Sequence, residues 1–108
     1  MTNRRITESP ISQGEDEIVS YKLTTTPWGS SPTAVSVIVF DVTGAANTAA
    51  WINVTATVMP VNSPTVLGDV ITLSPLKLLT DGKIYRMEIR FTSGANTFET
   101  HGLIIGGE

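Results

Sequence analysis

The chain has no cysteine in its 108 residues, so a disulfide framework and thiolate chemistry are both excluded and stability has to come from packing. Charge is scarce as well. Lys and Arg number 7 against 10 Asp and Glu, for a formal net charge of -3. That balance excludes the clustered basic surface needed for a general electrostatic grip on nucleic acid or an anionic membrane. No apolar run approaches the length of a membrane span, and Arg4 and Arg5 are not followed by the apolar core of a secretory signal. The expectation is a protein made and kept soluble in a cytoplasm, with neither nucleic acid nor membrane as partner.

Catalytic equipment is thin. His101 is the only histidine, so a Ser-His-Asp arrangement would have to be built on it, and its strand position reads instead as a surface or interface histidine. Neither a Gly-x-Ser-x-Gly elbow nor a phosphate-cradling Gly-x-Gly-x-x-Gly or Walker-type loop occurs. Glu15, Asp16 and Glu17, with Asp41 or Asp69, have the oxygen chemistry that calcium uses. Consecutive side chains on an extended segment point to alternate faces, however, so these acids read as a solvated turn. Asn53-Val54-Thr55 matches a glycosylation sequon, but its Val and Thr are equally strand chemistry. The expectation is a non-enzyme with no metal and no cofactor.

What the chain does have is Thr, Val, Ser and Ile interrupted at short intervals by turn residues, which predicts many short strands and no helix. A chain of this length buries roughly 65% of its unfolded surface, enough for one sandwich core over residues 1–108. Ile6 to Ile11 predicts a first strand confined to an edge by Pro10. Asp16 to Thr25 alternates with Val19, Tyr21 and Leu23 on one side. Pro27 and Pro32 make a loop around Trp28. Thr33 to Thr43 is apolar on both faces, with Val35, Val37 and Val39 on one and Ala34, Ile38, Phe40 and Val42 on the other, so its outer face needs a loop or another chain as cover. Ile52 to Val58 and Val66 to Leu73 predict two further strands, and Ser93-Gly94-Ala95-Asn96 a hairpin turn into a last strand, Thr97 to Ile105. About seven strands at this spacing predict an all-β, antiparallel two-sheet sandwich, with residues 1–13 and 103–108 able to extend as tails.

The best-patterned run is Leu78 to Phe91, "LLTDGKIYRMEIRF". Tyr85, Met87, Ile89 and Phe91 share one face, and Arg86, Glu88 and Arg90 the other, so the phenol travels with the core and the charges with solvent. Leu79, Gly82 and Tyr85 form Leu-x-x-Gly-x-x-Tyr, which resembles the tyrosine corner of immunoglobulin-like and fibronectin type III-like sandwiches. That resemblance implies a buried ring whose hydroxyl bonds back to the main chain of the corner. The antibody cysteine pair and core tryptophan are missing, so the likeness is to the broad sandwich class.

The succession "QGEDE", "LTTTPWGSSPT", "VTATVMP" and "SPTVLGDVITLSPLKLLTDGKIYRMEIRFTSGANTFE" resembles small structural proteins of tailed bacteriophages and prophages, over Gln13 to Glu99. The resemblance implies an immunoglobulin-like, non-enzymatic component of the virion, at the neck, tail, fibre adaptor or capsid surface. Its partners would be other virion proteins in a symmetric homo- or hetero-oligomer. Candidate contact residues are Trp28 and Trp51 in loops, the charged strand face Arg86, Glu88 and Arg90, which suits an acidic partner strand, and the apolar terminus Leu103, Ile104 and Ile105. The alternative is a carbohydrate-binding domain displayed on the particle, with Trp28 and Trp51 as sugar-stacking platforms.

Overall fold

The computed structural model describes residues 4–5, 11–26, 28–44 and 47–107, and these form an all-β sandwich of two sheets. In chain order the strands are β1 (Arg4–Arg5), β2 (Ile11–Gln13), β3 (Lys22–Thr24), β4 (Thr33–Asp41), β5 (Ile52–Asn53), β6 (Thr65–Leu67), β7 (Val70–Thr72), β8 (Ile84–Ser93) and β9 (Asn96–Gly106). A single helical turn, α1 (Thr55–Val58), follows β5. The larger sheet runs β1-β9-β8-β4-β5, with β2 also on β9, and the smaller runs β3-β7-β6. All pairings are antiparallel except those of β1 and β2, which lie parallel to β9.

β8 owes its length to period-two patterning, and β9 to its ten-residue antiparallel register with β8 across the Gly94-Ala95 turn, where Gly94 takes φ 61°. The inward side chains of β8 (Tyr85, Met87, Ile89, Phe91) meet Val37 and Val39 of β4, Ile104 of β9, and Leu23 and Ile71 of the smaller sheet in one core. Val58, Met59, Leu73, Leu76 and Leu79 close its ends. The larger sheet thus offers its other face to the surroundings, and that face holds the residues of functional interest.

Five expectations need correction. Ile52 to Val58 is a strand only as far as Asn53, whose Oδ1 accepts the Thr55 N–H at 3.0 Å and the Thr55 hydroxyl at 2.8 Å. This local turn bends the chain out of the ladder and starts α1. Val66 to Leu73 is not one strand but a hairpin, because Gly68 takes φ 60° and reverses the chain in two residues between Leu67 and Val70. Of Asp16 to Thr25 only Lys22–Thr24 is laddered, with an isolated bridge from Val19 to Leu76. The last strand, expected over Thr97 to Ile105, runs one residue further to Gly106, so Leu103–Gly106 lies between β8 and β2 and does not extend as a tail. At the other end Arg4–Arg5 and Ile11–Gln13 are docked on β9 rather than free. The expected strand from Ile6 lies outside the described residues apart from Ile11, which opens β2.

Candidate functional site

Tyr85 is 3% exposed, and its hydroxyl accepts the Thr80 N–H at 2.8 Å, five residues upstream. Leu79 is buried beside it and Gly82 takes φ 83°, a conformation costly for any residue with a Cβ. The turn sits on the end of β9: Gly82 N–H donates to the Gly106 carbonyl and Gly106 N–H to the Lys83 carbonyl, each at 2.9 Å. A Cβ on Gly106 would meet the Thr80 carbonyl oxygen. The phenol therefore ties the corner back to β8 while backbone bonds join it to the last strand, and Arg86, Glu88 and Arg90 are on the other side of the sheet from the ring.

On that outer side, register brings distant residues into rows. Phe40, Arg86 and Leu103 are aligned across β4, β8 and β9, as are Ile38, Glu88 and His101, then Ser36, Arg90 and Glu99. Trp51, just before β5, packs its ring 5.5 Å from that of Phe40, and the Arg86 guanidinium lies 5.0 Å above the Trp51 ring, within cation–π range. Arg86 Nε also donates to Glu88 Oε2 at 2.8 Å, and Arg90 to Glu99 Oε2 at 2.9 Å. Each arginine thus has an acidic partner on its own sheet, which removes the reason to expect an acidic partner strand. What the face presents outward is Ile38 and Ile105, exposed at 39% and 37%, beside half-buried Phe40, Trp51 and Leu103.

The remaining candidates are dispersed. Ile104 is fully buried in the core, so it is not a contact residue; its side chain alternates with those of Leu103 and Ile105. Trp28 packs 6.3 Å from the inward ring of Phe91, whereas Trp51 packs on outward Phe40, so the two tryptophans do not line one cleft. His101, expected at the surface or an interface, is only 7% exposed on β9. Glu17 Oε1 accepts the Gly14 N–H at 2.6 Å within its own turn, and Asp69 accepts Thr26 Oγ1 and Ser31 N–H, each at 3.0 Å. Among the described residues no three His, Cys, Asp or Glu side chains converge as metal ligands, and no helix is long and apolar enough to cross a membrane.

Two polar anchors had no signal in the sequence pattern. Gln13 is 1% exposed; its Nε2 donates to the Leu76 carbonyl at 2.8 Å and the Glu17 carbonyl at 3.1 Å, while its Oε1 accepts the Tyr21 hydroxyl at 2.7 Å. Burial, and then the nearby Glu17 carboxylate, pushes the Tyr21 phenol above its ordinary pKa. Asp41 is the second. Its burial favours the neutral acid, but this is outweighed by the Thr43 hydroxyl at 2.6 Å, the Thr43 N–H at 3.0 Å and Lys83 Nζ at 3.0 Å, which hold the carboxyl below its ordinary value. A carboxyl depressed in the folded state stabilises it above the unfolded pKa of about 3.9, and the contribution disappears as pH falls through the lower folded value. Asp41→Asn is accordingly expected to cost about 1–2 kcal/mol at neutral pH. In urea titrations from pH 7 down into the acid range, the gap between the two proteins should close below pH 4. A gap constant with pH would assign the loss to packing instead.

No protein-family model matches the chain, and neither a curated protein nor a solved structure with significant similarity to it was found.

Proposed function

We propose that this chain is an immunoglobulin-like, fibronectin type III-like sandwich that works as a non-enzymatic assembly module of a tailed-phage virion, binding other virion proteins. The fold part is supported by strand order. With β3, β4, β6, β7, β8 and β9 in the places of strands B, C, D, E, F and G, the sheets group C, F and G on one side and B, E and D on the other, the division that defines those sandwiches. The hydroxyl of Tyr85, near the start of the penultimate strand, reaching back to Thr80 supports it further.

The observation that carries the assembly role is the outer face of β4, β8 and β9. Ile38, Phe40, Trp51, Leu103 and Ile105 make an apolar patch, and the charges among them are already satisfied by one another. A partner covering it gains apolar burial without stripping water from unpaired ions. The phage context is supported by the likeness of Gln13 to Glu99 to phage structural proteins.

Particles purified from a host expressing the gene with its neighbours provide the test. The chain should band with them at fixed stoichiometry, and Ile38→Glu, at a position the monomer leaves partly open, should abolish incorporation while leaving the thermal transition in place. A chain absent from particles, or one incorporated equally well as Ile38→Glu and Trp51→Ala, would remove this reading. Glycan binding lost on Trp51→Ala with incorporation intact would point to carbohydrate recognition.

A further inference from the structure

We infer that two copies of this chain associate about a two-fold axis through the open edge of β6, covering an uncharged flank of the sandwich. No Asp, Glu, Lys, Arg or His occurs between Asp41 and Asp69, a stretch that holds β5, α1 and β6. Within it Ile52, Val61, Val66 and Leu67 are exposed at 60%, 63%, 40% and 85%. Natural sheets blunt their edges with charge, proline or a covering segment. Elsewhere β3 begins at Lys22, β5 runs directly into the turn that starts α1, and β2 is followed at once by the acidic turn Glu15-Asp16-Glu17. β6 has only Pro64 before it, which ends the ladder on one side.

The ladder also says which groups are free. Thr25 N–H donates to the Asp69 carbonyl and Leu73 N–H to the Tyr21 carbonyl, each at 2.8 Å, at the two ends of the β3–β7 pairing. Odd-numbered residues of β7 therefore bond to β3, and even-numbered Val70 and Thr72 bond to Leu67 and Thr65 of β6. Val66, between them, turns its N–H and C=O to the open edge.

A second copy fits this edge because the edge is self-complementary. About an axis at Val66, each Val66 donor meets the other copy's Val66 acceptor, and Leu67 of one copy lies opposite Thr65 of the other. Charge favours the same occupant: on a molecule of net charge -3, two copies meeting along Thr65–Leu67 bring together strands that carry no charged side chain of their own. Pro64 limits main-chain bonding to Val66, so Val61, Val66 and Leu67 supply most of the contact.

Sedimentation of the full chain over a wide concentration range tests the inference. A monomer–dimer equilibrium is expected, weakened at least about tenfold by Leu67→Lys, which sets two like charges across the axis, and unchanged by Ile18→Lys, an equally added charge away from the flank. Because the chain has no cysteine, Val66→Cys should give a disulfide-linked dimer on mild oxidation, and Ile18→Cys should not. A monomer at every concentration, a dimer indifferent to Leu67→Lys, or a monomer whose flank is covered only by a different virion protein would overturn it. The inference stands apart from the particle role: a chain missing from particles can still dimerise here, and a monomer can still be a particle component.

Discussion

Tyr85→Ala should lower the unfolding free energy by about 3–5 kcal/mol, the range for removing a buried aromatic ring from a packed core. For a domain whose total stability is about 5–15 kcal/mol, that leaves a marginal fold. Two losses combine. The ring packs among Leu79, Met87 and Ile104 in the core, and its hydroxyl is the acceptor for Thr80 N–H. Tyr85→Phe separates them, because it keeps the ring and deletes only the acceptor, and it should cost about 1 kcal/mol. Urea midpoints with unchanged slopes would measure both. The corner is an anchor if Thr80 amide exchange accelerates in Tyr85→Phe while β4 amides stay protected. Equal stability of the Phe variant and the parent would show that the hydroxyl contact carries nothing.

Gly106→Ala comes next. Its Cβ would collide with the Thr80 carbonyl oxygen and lie 3.4 Å from the Tyr85 ring. The obstacle is main chain, which cannot rotate away as a side chain can, so a cost at the upper end of about 1–3 kcal/mol is expected, and a larger one for Gly106→Val. Gly82→Ala makes the informative comparison. At Gly82 there is open space but φ is 83°, whereas Gly106 is not among the glycines at positive φ and has no space. One glycine is required by conformation, the other by proximity. Both substitutions should loosen the same corner, but Gly106→Ala should also weaken the end of β9 and its pairing with β2. Hydrogen exchange at Ile105 and Gly106 distinguishes them, and protection retained there in Gly106→Ala would contradict the packing argument.

The two glycines also mark how far the chain can be read locally. Gly82 stood out in the sequence because Leu-x-x-Gly-x-x-Tyr is a pattern of neighbours. Gly106 looked like part of an apolar tail, because its reason lies in a carbonyl at Thr80, brought beside it only when β9 pairs with β8. Ile104 was misplaced for the same cause: alternation says that it and Ile105 face opposite ways, but which one faces inward depends on register with Tyr85. Nor does composition announce that Ala34 sits at φ 52°, where β4 shifts register between Thr33 and Ser36. An alanine there carries a backbone cost that only surrounding contacts sustain.

The outer face shows the same division. That Arg86, Glu88 and Arg90 avoid the core was evident from period two, but Arg86 over Trp51 and Arg90 with Glu99 required the pairing of four separate segments. Trp28 and Trp51 were equivalent as loop aromatics. In the fold one faces Phe91 inside and the other Phe40 outside.

By itself the sequence determined the β character, the division of β8 into a core side and a charged side, the turns at Gly82 and Gly94, and the absence of thiol chemistry. These follow from properties that each residue carries with its nearest neighbours: side-chain alternation, φ preference and composition. Tertiary structure alone decided which segments became edges, that Gln13 and Asp41 are buried anchors, and which apolar residues remain exposed. Those outcomes depend on strand register and on contacts between residues far apart in the chain, and no local pattern encodes them.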